Sequence, residues 1–480
     1  MPTLLDDLRA IVGAGNVLTD GDLSAWTQDW RKRTCGSALA VVRPASTDEV
    51  ARVVSACAAH RAANPQSCLS IVPQGGNTGL VVGSTPDGSG QQIVLSLQRM
   101  NTVRAVDAAN LTMTVEAGCI LQTVQARAHS EGFLFPLSLA AEGSCTIGGN
   151  LGTNAGGTQV LRFGNMRDLC LGLEVVTPQG EVWQGLSGLR KDNTGYDLKN
   201  LYIGAEGTLG IITAATLKLY PLPKAQLTAW VAAPSMAAAV RLLGLAHQHL
   251  GANLTGFEVM GQFALSLVAN HFKDLRVPLF QGSAFCVLLE NADQESETHA
   301  RTQFEGLLEA ALQAGCATDA VMAESLAQAQ SLWQLRESIP LAQGLEGLNI
   351  KHDISVPISG MAAFVAHTDA LLAQAIPGVR LVNFGHLGDG NLHYNVQAPE
   401  GQDPAAFLHA QEVRVNHIVF DSVMAHGGSI SAEHGIGSLK VEHLTHYKSP
   451  VALHAMRVIK QALDPQHLMT PGRVLAALSR

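Results

Sequence analysis

The chain lacks several signatures that would have assigned its chemistry at once. Its eight cysteines are scattered without a CxxC pair, which excludes the usual spacings of iron–sulfur clusters and zinc ribbons. No GxGxxG opens a βαβ unit, and no GxxxxGK precedes Ser or Thr, so Rossmann NAD enzymes and P-loop NTPases are disfavoured. GxSxG and HExxH are also missing, which removes the motif-based case for serine hydrolases and zincins.

Charge and long apolar runs are equally scarce. Charged residues make up 15% of the chain and the net charge is −9, which argues against nucleic acid as a partner. Met1 to Asp20 lacks a basic segment followed by an apolar core, and no uncharged apolar run reaches the length of a membrane span. We therefore expect a cytoplasmic protein with no signal peptide and no transmembrane segment.

The stretch from Gly385 to Asn395 holds the most informative polar pattern. Asp389-Gly390 is a strong hairpin signal, and counting outward from it predicts that His386 faces His393 across two strands. Two imidazoles so placed can bind a divalent metal if a carboxylate joins them, and Glu433 is the candidate. The alternative is that the two histidines form a polar cross-strand pair without a metal.

Three clusters of small residues lie in the first half of the chain, at 73–80, 136–157 and 204–212. Glycines directly after a strand let successive backbone N–H groups approach an anion such as a pyrophosphate. The second cluster supplies too little apolar area for a core layer and suits a backbone lying against a flat ligand with polar edges. Taken alone, the first cluster slightly favours a plain turn over an anion site, and the second cluster shifts that balance.

The chain is too long for one ordinary core, so two domains are expected. Pro221 and Pro223 mark the predicted boundary, after which strands alternate with long helices, including one over 326–346. We predict an α+β fold with a first domain at 1–222 (core 38–220) and a second domain at 223–445, an antiparallel sheet with helices on one face. The segment 446–480 is expected to return to the first domain.

The three clusters, the histidine hairpin and the loop Ala432-Glu433-His434-Gly435-Ile436-Gly437 resemble the FAD-linked oxidase family, whose flavin domain is of the vanillyl-alcohol-oxidase (PCMH) type. Within it, the chain is most similar to the branch that oxidises D-2-hydroxyglutarate, with D-lactate dehydrogenases and glycolate oxidase flavin subunits as sibling branches. The resemblance covers roughly residues 35–475. It implies an FAD-binding domain followed by a substrate and metal (cap) domain.

The resemblance also implies which residues bind FAD. The first cluster would hold the pyrophosphate, and the other two would surround the rest of the cofactor. Asn77 stands where many relatives have a flavin-linking histidine, so FAD would be non-covalent; Gln74 replaces a frequent arginine. The implied FAD-binding residues are Pro73, Gly75, Gly76, Asn77, Thr78, Gly79, Leu80, Pro136, Gly143, Ser144, Thr146, Gly148, Gly149, Asn150, Thr153, Asn154, Gly156, Glu206, Gly207, Gly210, Ile211 and Ile212.

For the second domain, the resemblance implies a divalent ion, usually zinc, on His386, His393 and Glu433. His434 would be the catalytic base and would also contact substrate. Arg336, Lys351 and Asn395 would bind substrate, and two cations besides the metal suit a second carboxylate. An alternative pairs Arg336 with Glu337 or another surface acid. Pro340 replaces a threonine that is frequent in the hydroxyglutarate branch, which removes one donor to that carboxylate.

The resemblance leaves several functions open. The activity it implies is FAD- and metal-dependent oxidation of a D-2-hydroxy acid to the 2-keto acid, by hydride transfer to flavin, with an electron-transferring flavoprotein or a quinone as acceptor. D-Lactate or glycolate would be oxidised on the same scaffold in the sibling branches, and a homodimer is possible. The residues are also compatible with a flavin subunit that needs a partner chain and with a metal-binding protein without flavin.

Overall fold

A computed structural model describes residues 3–477 of the protein. Its α-helices, in chain order, are α1 Leu4–Val12, α2 Ser24–Thr27, α3 Thr47–Ala63, α4 Leu121–Ser130, α5 Ile147–Thr153, α6 Val160–Phe163, α7 Lys199–Tyr202, α8 Met236–Leu250, α9 Gln262–His271, α10 Glu297–Gln313, α11 Leu326–Glu346, α12 Met361–Ala375, α13 Pro404–Ala425, α14 Val441–Tyr447 and α15 Pro450–Leu463. Short 3₁₀ helices occur at Ala14–Asn16, Gly251–Asn253, Ile358–Gly360 and Leu387–Asp389.

The strands fall into several sheets. They are β1 Val17–Leu18, β2 Ala38–Val42, β3 Ser70–Gln74, β4 Gln92–Ser96, β5 Val103–Asp107, β6 Thr112–Glu116, β7 Phe133–Leu134, β8 Cys170–Val176, β9 Val182–Gly185, β10 Ile211–Lys218, β11 Tyr220–Pro221, β12 Ala225–Ala233, β13 Leu254–Gly261, β14 Phe285–Asp293, β15 Asp319–Met322, β16 Asn349–Ile350, β17 Asp353–Ser355, β18 Arg380–His386 and β19 Asn391–Gln397. The expected mixture of helices and antiparallel sheets, an α+β fold, is confirmed.

The chain divides into two compact units. The first unit comprises Met1–Gly156, Asn165–Pro221 and His434–Arg480, and the second comprises Gly157–Gly164 and Leu222–Glu433. The sequence suggested boundaries at 222/223 and 445/446. In the structure the chain changes unit after Pro221 and after Glu433, and the short segment around α6 also belongs to the second unit.

The first unit contains two main sheets. In one, β2, β4 and β3 are parallel and β1 is an antiparallel edge strand. In the other, all neighbours are antiparallel in the order β5-β6-β10-β8-β9. Ser46 caps the start of helix α3, where its hydroxyl accepts a hydrogen bond from the Glu49 N–H at 3.2 Å. Its apolar residues pack with α1 and the parallel strands.

The second unit is built on one eight-stranded sheet, in the order β15-β12-β14-β13-β18-β19-β16, with β17 also paired to β19. Helices α9 and α11 pack with Trp230 and Leu288 on one face. The alternate residues of the same strands, such as Val231 and Leu289, are fully buried, and α8 and α10 contact those strands. Helices therefore cover both faces, which corrects the expectation of helices on one face only.

The histidine hairpin differs from the prediction in register. Phe384, not His386, lies opposite His393, because a 3₁₀ turn at Leu387–Asp389 replaces the expected two-residue Asp-Gly turn. Gly390 completes this turn with φ of 82°. A shift of two residues leaves every side chain on its predicted face, so His386 and His393 still share one face of the sheet.

Long apolar helices are absent from the part of the chain that the structure describes: between residues 3 and 477, none has the length and hydropathy needed to cross a membrane.

The C-terminal segment completes the parallel sheet of the first unit. The Ile71 N–H donates to the Leu468 carbonyl at 2.8 Å, and the Thr470 N–H donates to the Ile71 carbonyl at 2.9 Å. Asp464, which is fully buried, holds this segment by accepting from the N–H groups of Leu468 and Met469 and from Lys460 Nζ.

We predict that Asp464→Ala lowers the free energy of unfolding by about 2–4 kcal/mol, because it leaves a partly buried ammonium and two buried peptide donors without their carboxylate. Urea denaturation followed by circular dichroism measures the change. Arg52→Ala, which removes only an exposed ion pair with Asp48, is the control and should cost about 0.5 kcal/mol or less. Equal losses in the two variants would contradict this assignment.

Candidate active site

Three predicted metal ligands come together in the second unit. One donor atom from each of His386, His393 and Glu433 lies within 4.8 Å of the other two. The imidazole centroids are 5.5 Å apart, and His386 Nε2 lies 3.8 Å from a Glu433 carboxylate oxygen. Two donors on one tetrahedral zinc ion are roughly 3.4 Å apart, since each lies about 2.0–2.2 Å from the metal. The donor chemistry and spacing therefore fit a divalent ion.

Glu258, which the sequence analysis did not single out, lies directly across β13 and β18 from His386. One carboxylate oxygen is 2.6 Å from His386 Nδ1, and the other accepts a hydrogen bond from Arg336 Nε at 2.7 Å. A metal-binding imidazole commonly donates its second N–H to a carboxylate, which fixes the ring and leaves the other nitrogen for the ion. Glu258 makes this contact.

Arg336 is buried against the sheet rather than exposed. Its ion pair is with Glu258, so the alternative of a surface pair is wrong. The guanidinium also lies over the Phe384 ring, with Cζ 5.2 Å from the ring centroid. Its Nη2 atom is buried and has no hydrogen-bond partner among residues 3–477, which marks it as a donor for an external acceptor.

The charges around His386 perturb several pKa values. Burial lowers the pKa of His386, but the negative charges of Glu258 and Glu433 outweigh this effect and raise it to about 9. Burial raises the pKa of Glu258, yet His386 and Arg336 bring it down to about 2. Burial raises the pKa of the Glu433 carboxyl. A proton and a metal ion therefore compete for the same imidazole nitrogen.

Asp353 fixes the backbone that carries Glu433. One of its carboxylate oxygens accepts the Glu433 N–H at 2.8 Å, and the other accepts from Asn391 Nδ2 at 2.9 Å. Asp353 is itself buried in β17, which pairs with β19 beside His393. This carboxylate thus ties the Glu433 segment to the histidine hairpin.

Two predicted substrate residues, Asn395 and Lys351, have different environments. Asn395 is buried on the same face as His393; its carbonyl accepts the His352 N–H, and its amide donates to Gln343 Oε1 at 3.0 Å. The structure therefore holds Asn395 in one orientation. Lys351 is half-buried in the connection between β16 and β17. Pro340 lies inside α11, which runs from Leu326 to Glu346 as predicted.

In the first unit, the three predicted FAD-binding clusters pack against one another. A Cβ atom on Gly75 would lie 2.2 Å from Thr146 Oγ1, and one on Gly76 would lie 2.1 Å from the Ser144 carbonyl, so the first two clusters tolerate only glycine at these contacts. The Glu206 N–H donates to the Gly152 carbonyl at 2.8 Å, which joins the third cluster to the second. Part of the second cluster, Ile147–Thr153, forms the short helix α5.

The loop after β3 has the character of an anion cradle. None of the peptide N–H groups from Gly75 to Gly79 donates a hydrogen bond to another of the residues that the structure describes. The loop is half-buried to exposed, so an external acceptor can reach it. A run of free N–H groups beside small residues fits the pyrophosphate of FAD.

Side chains within these clusters have structural contacts of their own. Asn77 Nδ2 donates to the carbonyls of Ala25 and Gln28, and Gln74 Nε2 donates to those of Trp26 and Ser84. The two side-chain amides therefore tie the loop to the neighbouring segment 25–28 and to Ser84.

Glu206, another predicted FAD residue, holds the loop that follows His434. Its carboxylate oxygens accept the N–H groups of Ile436 and Gly437, both at 2.7 Å, and burial raises its pKa. Gly435 is needed at this contact, because a Cβ there would lie 2.6 Å from Glu206 Oε1. His434 belongs to the first unit and Glu433 to the second.

Glu258 and Asp353 lie near the metal ligands but were not predicted, although each stands as a charged residue in a largely buried strand. Glu258 is the one charged residue in β13, Leu254–Gly261, whose eight residues are all buried. Asp353 likewise stands in a short buried strand. A carboxylate inside an otherwise apolar strand indicates a buried partner, because an unpaired buried charge is costly.

Comparison with protein families and curated proteins identifies similar chains. The model of the C-terminal domain of FAD linked oxidases matches residues 222–474, and a model of an FAD binding domain matches residues 38–185. A D-2-hydroxyglutarate dehydrogenase of Xanthomonas citri pv. viticola is 38% identical over 98% of this chain and 97% of the relative. Mitochondrial D-2-hydroxyglutarate dehydrogenases of Bos taurus and Arabidopsis thaliana are 38% and 36% identical over 98% and 97% of this chain and 83% and 80% of the relatives.

Two solved structures with similar folds share little sequence with this chain. p-Cresol methylhydroxylase with substrate bound aligns with a TM-score of 0.76 and 16% identity over 99% of this chain and 97% of that chain. Alkyldihydroxyacetonephosphate synthase aligns with a TM-score of 0.71 and 18% identity over 98% of this chain and 84% of that chain. The expected vanillyl-alcohol-oxidase-type fold is confirmed by these similarities.

We predict that His386→Ala weakens metal binding by at least about 100-fold, since even the loss of a residue that supports a ligand costs 10–100-fold. Elemental analysis of the purified protein measures the metal content. His367→Ala, which changes an exposed histidine of the same unit, should leave that content unchanged. A His386→Ala protein with a full metal complement would refute the ligand assignment.

Proposed function

The chain belongs to the FAD-linked oxidase family, and from this premise we propose that it oxidises D-2-hydroxyglutarate to 2-oxoglutarate with a divalent metal. The family resemblance predicted from the sequence is confirmed, and the chain is an FAD-dependent dehydrogenase. The metal, the substrate and the catalytic base are our proposals. The observation that carries them is the convergence of His386, His393 and Glu433 beside a buried arginine with a free donor.

When bound, FAD would supply the hydride acceptor for oxidation at C2 of the substrate, and a divalent ion such as Zn²⁺ would supply positive charge that polarises the 2-hydroxyl group. His386, His393 and Glu433 would hold the ion, and the small-residue clusters of the first unit would hold FAD non-covalently, since Asn77 occupies the position of a linking histidine. The ligand chemistry also admits manganese or iron.

Arg336 is proposed to bind the distal carboxylate of the substrate. Its guanidinium is held on one side by Glu258 and below by Phe384, so Nη2 is fixed in place before substrate arrives. Lys351 would add a second positive charge, and Asn395, immobilised by two hydrogen bonds, would orient the substrate near C1. D-Lactate has no distal carboxylate, so this arrangement favours D-2-hydroxyglutarate.

His434 is proposed to take the proton from the 2-hydroxyl group. It follows Glu433 directly in the chain, and the next residues are fixed by Glu206 through two N–H donors. Histidine is the side chain that most often acts as a general base.

The remaining assignments concern partners and location. We propose an electron-transferring flavoprotein or a quinone as the acceptor and a homodimer as the assembly. A cytoplasmic location stays a prediction from the sequence; the names of the plant and animal relatives carry the label mitochondrial.

We expect wild-type protein to reduce its flavin with D-2-hydroxyglutarate far faster than with D-lactate, and Arg336→Lys to erase most of this preference. Lysine keeps the charge but loses the planar fork, so kcat/KM for D-2-hydroxyglutarate should fall about 10–100-fold, with a change below about threefold for D-lactate. Anaerobic flavin bleaching measures both. Arg241→Lys on the exposed face of α8 is the control. Equal wild-type rates with the two acids would contradict the dicarboxylate assignment.

For the base, we predict that His434→Ala retains bound FAD and lowers kcat by about 10²–10⁴-fold, the usual contribution of a general base. The flavin absorbance per protein reports cofactor retention, and turnover with an artificial dye reports activity. His454→Ala, at an exposed position of α15, should behave as wild type. Near-normal turnover by His434→Ala would assign the proton transfer to another group.

A further inference from the structure

Glu258 is a fully buried carboxylate of the second unit, and it contacts two of the proposed functional residues. It is fully buried in β13 and lies directly opposite His386 in the sheet. Its two oxygens are divided between two partners: Oε1 lies 2.6 Å from His386 Nδ1, and Oε2 lies 2.7 Å from Arg336 Nε. One carboxylate therefore orients a proposed metal ligand and a proposed substrate cation at the same time.

We propose that Glu258 is a positioning residue that couples the metal site to recognition of the distal substrate carboxylate. This inference rests on the proposed function and extends it, because neither the metal ligands nor the substrate residues include Glu258.

The contact with His386 determines which imidazole nitrogen the metal can use. With Nδ1 donating to Glu258, Nε2 carries the free lone pair, and Nε2 is the atom that lies 3.8 Å from the Glu433 carboxylate. Without an acceptor at Nδ1, the ring can rotate or adopt the other tautomer. Outer carboxylates of this kind typically contribute 10–100-fold to metal affinity.

The contact with Arg336 determines which guanidinium donor remains for substrate. Nε is used by Glu258, the planar group lies over Phe384, and Nη2 is buried without a partner among the described residues. Because the side chain starts from a helix and ends on a strand, it is held at both ends. Its free donor is therefore placed by Glu258 and not by substrate.

A neighbouring residue provides a matched control. Glu290 is also buried, on the adjacent strand β14, opposite Gly256 and on the same face of the sheet as Glu258. Its oxygens accept from Thr255 Oγ1 at 2.8 Å and from Trp333 Nε1 at 3.2 Å, and neither partner belongs to the proposed site. Neutralising Glu290 therefore reproduces the loss of a buried carboxylate without touching the metal ligand or Arg336.

The test compares Glu258→Gln with Glu290→Gln in the FAD-loaded protein after metal removal by a chelator. Glutamine offers one oxygen where glutamate offers two, so its NH₂ group must face either the Arg336 or the His386 donor. We expect Zn²⁺ affinity, measured by competition with a chromophoric chelator, to fall about 10–100-fold in Glu258→Gln and less than about threefold in Glu290→Gln. In zinc-saturated enzyme, KM for D-2-hydroxyglutarate should rise while KM for D-lactate changes little.

A second pair of variants keeps the test informative if Glu258→Gln folds poorly. Arg336→Met combined with Glu258→Gln removes both charges and leaves no unpaired buried ion. Its Zn²⁺ affinity should still be about 10–100-fold below that of Arg336→Met alone, because only the imidazole contact differs between them. Unchanged Zn²⁺ affinity in this pair and in Glu258→Gln would overturn the proposal.

The outcome for Glu258 is separable from that for the proposed function. Substrate oxidation by wild-type protein tests the function without any Glu258 variant. Zn²⁺ binding tests the positioning role without turnover. If the wild type oxidises another acid but Glu258→Gln shows the expected loss of Zn²⁺ affinity, the proposed substrate is wrong and the role of Glu258 in supporting the metal ligand stands.

Discussion

A negative charge inside an apolar sheet is the constraint on which the second unit depends. Taking a carboxylate out of water costs several kcal/mol unless opposite charges and hydrogen bonds compensate. In β13 that compensation comes from His386 on the neighbouring strand and Arg336 on α11, both in contact with Glu258. The groups that compensate the buried charge can also act on a ligand, and they are held by a strand and a helix rather than by a loop.

In the first unit, backbone N–H groups rather than side chains are placed to contact a ligand. Small residues of three segments pack so closely that added Cβ atoms at Gly75 and Gly76 would collide with the 144–146 segment. The N–H groups of the 75–79 loop remain open to an external acceptor. Asn77 and Gln74 support the loop from behind, so replacement of an arginine by Gln74 does not leave an unsupported position.

Much of the fold could be predicted from sequence because its signals are local. Helix α11 ends at Glu346, as predicted, and Gly347 follows it with a φ of 128°; Ser46 caps α3 through its own hydroxyl. It was also predictable that His386 and His393 share one face of the sheet, because a register shift of two residues does not change the face to which a side chain points. Its register was not, because the 3₁₀ turn at Leu387–Asp389 is chosen by packing, including the contact of Gly388 with Leu161. Glu258 was missed because its partners are 78 and 128 residues away in sequence.

The pairing of Ile71 with the segment at Leu468–Thr470 has a consequence for biosynthesis. These hydrogen bonds link Ile71 to residues that follow the whole second unit in the sequence, so the edge of the parallel sheet beside β3 stays open while the ribosome makes that unit. The second unit from Leu222 to Glu433 is contiguous apart from α6 and emerges earlier in complete form. The hydrogen bonds that join Ile71 to the C-terminal segment therefore form only after the whole second unit has been synthesised.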